Sequence, residues 1–124
     1  QNERNEHNEW CYSPLSDVKK RFKTHNLLDS ALFIKGDVSK TLSIEENIPK
    51  NLSLLRLDTD WYESTKKELQ ILYPRLSTRG VLLIDDYGRW AGSKNAVDEF
   101  ISNLSGYKPF LWQNDQSGRG FIKL

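Results

Sequence analysis

Residues 81–84, Val-Leu-Leu-Ile, form an unbroken apolar run that stops on two aspartates, Asp85 and Asp86. A run of strand length without polar alternation is what a strand buried on both faces requires. An earlier run, Ser-Leu-Leu-Arg-Leu at 53–57, also ends on acids, Asp58 and Asp60, with Glu63 close behind. Between the two runs the apolar spacing becomes helical. Leu69, Leu72 and Tyr73 make a stripe, Thr65 with Glu68 three residues on suits a capping box, Pro74 disturbs the helix, and Gly80 marks the turn into the second run. A strand, a helix and a strand in this order constrain the chain to an α/β unit with parallel strands joined by a right-handed crossover.

The flanking segments extend that unit. Ser13 and Pro14 suit the cap and first position of a helix carrying Leu15, Val18 and Phe22 on one face and ending near Asn26. Residues 31–35 read as a short strand closed by Gly36 and Asp37. Ser93 suits the cap of a helix whose Ala96, Val97, Phe100, Ile101 and Leu104 share a face, and Gly106 suits its end. Residues 108–124, with a turn at Gln116, Ser117 and Gly118, read as a closing antiparallel hairpin. The polar residues 1–9 have no periodicity and are expected as a flexible end before one domain over 10–124.

Ligands of open α/β sheets sit beyond the carboxyl ends of the strands. Both acidic pairs fall there, so they are expected to meet. Asp58 and Asp60, two apart, share a strand face, and either Asp85 or Asp86 can join them as the chain leaves the sheet. Two carboxylates about 4 Å apart repel by roughly 4 kcal/mol at an effective dielectric of 20. Three crowded together must take up a proton or a cation, and an all-oxygen donor set favours Mg²⁺ over softer ions, with Mn²⁺ or Ca²⁺ as substitutes. The plainer alternative is that strand-end aspartates cap the next helix or solvate a turn. Trp61, Trp90 and Trp112 are candidates to line the cleft or to complete the core. A single cysteine, Cys11, and two histidines give no zinc cluster.

The stretches Leu-Arg-Leu-Asp-Thr-Asp-Trp-Tyr-Glu-Ser-Thr (55–65) and Leu-Tyr-Pro-Arg-Leu-Ser-Thr-Arg-Gly-Val-Leu-Leu-Ile-Asp-Asp-Tyr-Gly (72–88) resemble the TylF-type macrocin O-methyltransferase family. Its members are Mg²⁺-dependent enzymes that methylate sugar hydroxyls with S-adenosylmethionine. The resemblance runs from about Trp10 to the final hairpin. Thr59 and Arg79 stand where the family often has glycine. The resemblance implies a Rossmann-like, mostly parallel methyltransferase sheet with a C-terminal antiparallel hairpin. It implies that Asp58, Asp85 and Asp86 hold the metal, that Asp60 is the general base, and that Gly36 and Asp37 lie near the adenine of the cofactor. The family's sheet order is 3-2-1-4-5-7-6, and the present strands correspond to 3, 4, 5, 6 and 7. The first two strands and the Gly-rich cofactor turn are not in this chain, so activity of the chain by itself is not implied. Strand 31–35 is then expected to pair with the strand at 53–58 or with another chain, making a homo-oligomer.

The expected function is thus the C-terminal part of an O-methyltransferase taking a small hydroxyl acceptor, a sugar or vicinal diol. The alternatives are a non-catalytic oligomeric domain with a vestigial ion site, or an Asp-x-Asp phosphatase or glycosyltransferase. A formal charge of +1 lacks the basic excess of a nucleic-acid binder. No apolar run approaches the roughly 20 residues that cross a bilayer, and the start lacks an apolar leader, so a cytoplasmic location is expected.

Overall fold

A computed structural model describes residues 12–124; the polar first nine residues and Cys11 lie outside the described residues. The chain divides into two compact units, Gln1–Phe33 and Ile34–Leu124. In the first, α1 spans Leu15–Thr24. Pro14 precedes it, one residue later than the expected cap, and its carbonyl accepts from the N–H groups of Asp17 and Val18 at 3.0 and 3.2 Å. None of the described residues of this unit is buried. The expected stripe finds one partner: Phe22 meets Phe33 edge-to-face at 5.3 Å.

Residues 31–35 form no strand, which corrects the sequence expectation. Their β-prone composition asks for a ladder, yet no strand lies alongside among the described residues, and Leu32 is 80 % exposed. Propensity alone does not hold an extended segment without partners for its amides.

The second unit carries the sheet. Asp37 caps the short helix α2 (Val38–Thr41), accepting from the Ser39 N–H at 2.9 Å. β1 is Leu52–Leu57, α3 is Tyr62–Leu72, β2 is Leu76–Ile84, α4 is Ala91–Asn103, β3 is Trp112–Gln113 and β4 is Arg119–Ile122. The sheet order is β1-β2-β4-β3. This is the 4-5-7-6 portion of the order that the resemblance implied. β1 and β2 are parallel, with Leu57 opposite Ile84, and β4 lies antiparallel to both β2 and β3. The expected closing hairpin is therefore present.

Leu55, Leu57, Leu82, Ile84 and Phe121 from the strands meet Leu69 of α3 and Val97 of α4 in one core. On β1, Leu55 and Leu57 are buried while Leu54 and Arg56 are exposed, the period-two pattern of a strand covered on one face. On β2 the apolar run is fully buried at Leu82 and Ile84 and half-buried at Val81 and Leu83.

Three boundaries differ from expectation. α3 starts at Tyr62, because Asp60 adopts a left-handed φ of 48° and turns the chain directly into the helix. Thr65 and Glu68 are therefore buried inside α3 rather than capping it. α4 starts at Ala91, which leaves Ser93 inside the helix and buried. β2 begins at Leu76, ahead of Gly80, and its pairing with β1 is irregular between Leu76 and Val81. Pro74 ends the helical stretch in a 3₁₀ turn, Tyr73–Arg75, as its missing N–H requires.

Candidate metal centre

The parallel register brings the ends of β1 and β2 side by side, and the N–H of Asp85, one residue past β2, donates to the carbonyl of Leu57, the last residue of β1, at 2.9 Å. The ladder thus fixes the two acidic pairs relative to each other. One oxygen from each of Asp58, Asp85 and Asp86 lies within 4.8 Å of the others. At that spacing each pair of charges repels by about 3 kcal/mol at an effective dielectric of 20, and by less where water reaches. Asp58 and Asp85 are partly exposed, whereas Asp86 is 8 % exposed.

Asp86 carries the largest electrostatic load. Burial, reinforced by the neighbouring Asp60 and Asp58 carboxylates, pushes its carboxyl up to about 6. Its Oδ2 is buried with no hydrogen-bond partner among the described residues. A buried acceptor of this kind costs free energy until a proton or cation meets it. The donor set is entirely oxygen, so the residues fit a hard dication.

Sequence reasoning missed one resident of the site. Arg56 donates from Nη1 to Asp58 Oδ2 at 2.7 Å and from Nη2 to Asp85 Oδ1 at 2.8 Å. The hydrogen bond to Asp85, with the Asp58 charge, raises the Arg56 guanidinium further above its ordinary value. Its position two before Asp58 on a strand was the available signal, since such residues share a face.

Behind the carboxylates, Thr59 Oγ1 donates to Glu68 Oε2 at 2.7 Å. Burial raises the Glu68 carboxyl above its usual range. Gly88, just beyond Asp86, donates its N–H to the Ser117 carbonyl at 2.8 Å, and a Cβ there would come within 2.6 Å of the Gln116 carbonyl. The turn of the hairpin therefore backs the Asp86 loop. Gly92 lets the start of α4 abut the Asp60–Tyr62 backbone, and Tyr62, Lys66 and Glu99 join α3 to α4.

Trp61 and Trp90 immediately precede α3 and α4, with ring centroids 6.2 Å apart, and Trp61 is 67 % exposed. Trp112 instead packs on the core. Gly36 and Asp37 sit in the turn before α2, where Ser39 engages Asp37 Oδ1 and holds its carboxyl below the usual range.

Residues 1–118 match the family model described as Macrocin-O-methyltransferase (TylF). The chain is similar to the demethyldecarbamoylnovobiocin O-methyltransferase of Streptomyces niveus, 38 % identical over 88 residues, covering 68 % of this chain and 32 % of the relative. It is also similar to the 8-demethyl-8-(2,3-dimethoxy-alpha-L-rhamnosyl)-tetracenomycin-C 4'-O-methyltransferase of Streptomyces olivaceus, 42 % identical over 84 residues, covering 66 % and 31 %. Among solved structures, the O-methyltransferase NovP superposes with a TM-score of 0.73 at 29 % identity, over 88 % of this chain and 44 % of that one. CalS11, a TDP-rhamnose 3'-O-methyltransferase, gives 0.68 at 19 % identity, over 86 % and 50 %, a likeness of fold. The chain thus spans about a third of the length of these curated relatives. With the family model matching residues 1–118, the chain belongs to the TylF macrocin O-methyltransferase family.

Proposed function

We propose that this chain forms the ion-binding, acceptor-side part of an O-methyltransferase acting on a sugar hydroxyl. The observation that carries the reading is the convergence of Asp58, Asp85 and Asp86 within 4.8 Å, with a buried Asp86 oxygen lacking any partner among the described residues. Those three carboxylates would hold Mg²⁺. The ion, when bound, would orient the acceptor hydroxyl and lower its pKa. Asp60 stands beside Asp86 at the same strand ends and takes the role of general base, accepting the hydroxyl proton at its carboxylate. The exposed indole of Trp61, next to Asp60, offers an apolar face to a sugar ring.

Family membership implies S-adenosylmethionine as methyl donor. Gly36 and Asp37 are the residues proposed to border its adenine, in a turn whose shape the Asp37–Ser39 cap holds. Two turn residues, one with a carboxylate oxygen already engaged, do not make a cofactor site. The chain's own residues therefore supply ion binding and proton acceptance, and no step with the methyl donor. The test is a chimera placing this chain behind the N-terminal part of the Streptomyces niveus relative, assayed for methyl transfer to a sugar acceptor with and without Mg²⁺. Transfer that needs both the ion and Asp60 supports the reading. A chimera that folds and binds S-adenosylmethionine yet transfers no methyl group refutes it.

One observation favours a second reading, a non-catalytic module that keeps the ion site and self-associates. β1 pairs only with β2 among the described residues, so one side of this strand is a free edge. Size-exclusion chromatography with light scattering decides between a monomer and an assembly.

A further inference from the structure

Arg56 does more than decorate the strand. Its side chain leaves β1 on the exposed face shared with Leu54 and Asp58, at the register position opposite Leu83 of β2. From there one planar guanidinium spans both strand ends, with one nitrogen on Asp58 at 2.7 Å and another on Asp85 at 2.8 Å. Two of the three converging carboxylates each have an oxygen engaged by the Arg56 guanidinium, while the Asp86 Oδ2 has no partner among the described residues. The fork geometry of arginine suits such two-carboxylate bridging in a way that a point charge does not.

We propose that Arg56 is the resident counter-ion of the cluster and that a divalent cation binds in competition with it. This rests on reading Asp58, Asp85 and Asp86 as ion ligands. A dication drawn to this cluster meets a guanidinium already bonded to two of its three carboxylates, and like charges sharing the same carboxylates repel. The Arg56 side chain is 52 % exposed, so it can swing into water as the ion enters. Arg56 thus holds the two strand-end acids together in the metal-free protein and lowers the affinity of the filled site.

The experiment is calorimetric titration of the chain with Mn²⁺ and with Mg²⁺, comparing wild type, Arg56→Lys and Arg56→Gln at one pH and ionic strength. Arg56→Gln is expected to bind Mn²⁺ about threefold to tenfold more tightly than wild type, with Arg56→Lys between them, because a unit of opposing charge is gone. Affinity that is unchanged or weaker in Arg56→Gln overturns the competition. A metal-free arm measures Arg56→Gln, Asp85→Asn and the double variant in EDTA by urea unfolding; energetic coupling between the two sites is expected, and its absence overturns the counter-ion role. Should Arg56→Gln fail to fold, Arg56→Lys carries both comparisons. Preserved coupling with no Mn²⁺ binding by any of the three proteins refutes the ion reading and the competition, leaving Arg56 as a counter-ion alone.

Discussion

A Cβ on Gly92 would lie 2.8 Å from the backbone nitrogen of Tyr62. It would also come within 3.4 Å of the Asp60 carbonyl oxygen, so α4 starts hard against the segment carrying Asp60. Replacing a helical glycine by alanine ordinarily stabilises by about 0.5–1 kcal/mol. Here the contact is with backbone, which does not rotate away. Gly92→Ala is expected to cost about 1–3 kcal/mol net. Urea unfolding checks the sign, and a variant as stable as wild type would show that α4 slides freely.

The four aspartates are expected to separate into two roles. Asp58→Asn or Asp86→Asn should weaken Mn²⁺ binding by about tenfold or more, since each removes a ligand charge. Asp60→Asn should leave that affinity within about threefold while lowering methyl transfer by the chimera about 100-fold or more, the loss of a general base. Titration calorimetry and a methyl-transfer assay read the two roles separately.

Glu68 gives a pH dependence. Burial raises its carboxyl in the folded chain, so its contribution to stability is fully present below the unfolded value and is lost as pH rises through the folded one. Glu68→Gln keeps an acceptor for Thr59 Oγ1 and removes the buried charge. The variant is expected to match wild type near pH 4 and to be more stable at pH 8. Thermal melts across that range test it; a gap that closes with rising pH contradicts the assignment.

The bridge between α3 and α4 is a three-member network in which Lys66 Nζ donates to Tyr62 Oη at 2.8 Å and to Glu99 Oε1 at 2.9 Å, and Tyr62 donates to Glu99 Oε2. Tyr62→Phe should cost about 0.5–1.5 kcal/mol with little dependence on salt. Lys66→Met should cost less than Tyr62→Phe and lose its effect in 1 M salt, because the Lys66–Glu99 pair is partly solvated. Denaturation at two ionic strengths distinguishes them.

Leu69 and Leu54 test the one-sided burial of the sheet. Leu69 is fully buried, and Leu69→Ala is expected to cost about 2–5 kcal/mol. Leu54, on the outward face of β1, is 56 % exposed, and Leu54→Ser should stay within about 0.5 kcal/mol. A large loss at Leu54 would mean that this face is covered in solution.

The two strands, the crossover helix and the closing hairpin were legible because apolar spacing encodes burial, and that period survives in a single sequence. The convergence of Asp58 with Asp85 and Asp86 followed from placing acids at the ends of adjacent parallel strands. Segment 31–35 was misread because composition states a preference for extended backbone and says nothing of whether a neighbour is there to accept its amides. The capping box at Thr65 and Glu68 was a false signal: both side chains turn inward, Glu68 toward Thr59, once the left-handed backbone at Asp60 starts the helix early. Arg56 carried a signal only in its place two before Asp58, whereas Gly92 carried none, since a close backbone approach is a property of a pair of segments.

The contact between Gly88 and Ser117 means that the centre is distributed over the chain. A synthetic peptide from Leu52 to Trp90 would hold every proposed ligand and the arginine between them. It would still lack β4, which flanks β2, and the turn that props the Asp86 loop from behind. Transplanting the site into another protein would therefore require grafting the hairpin with it.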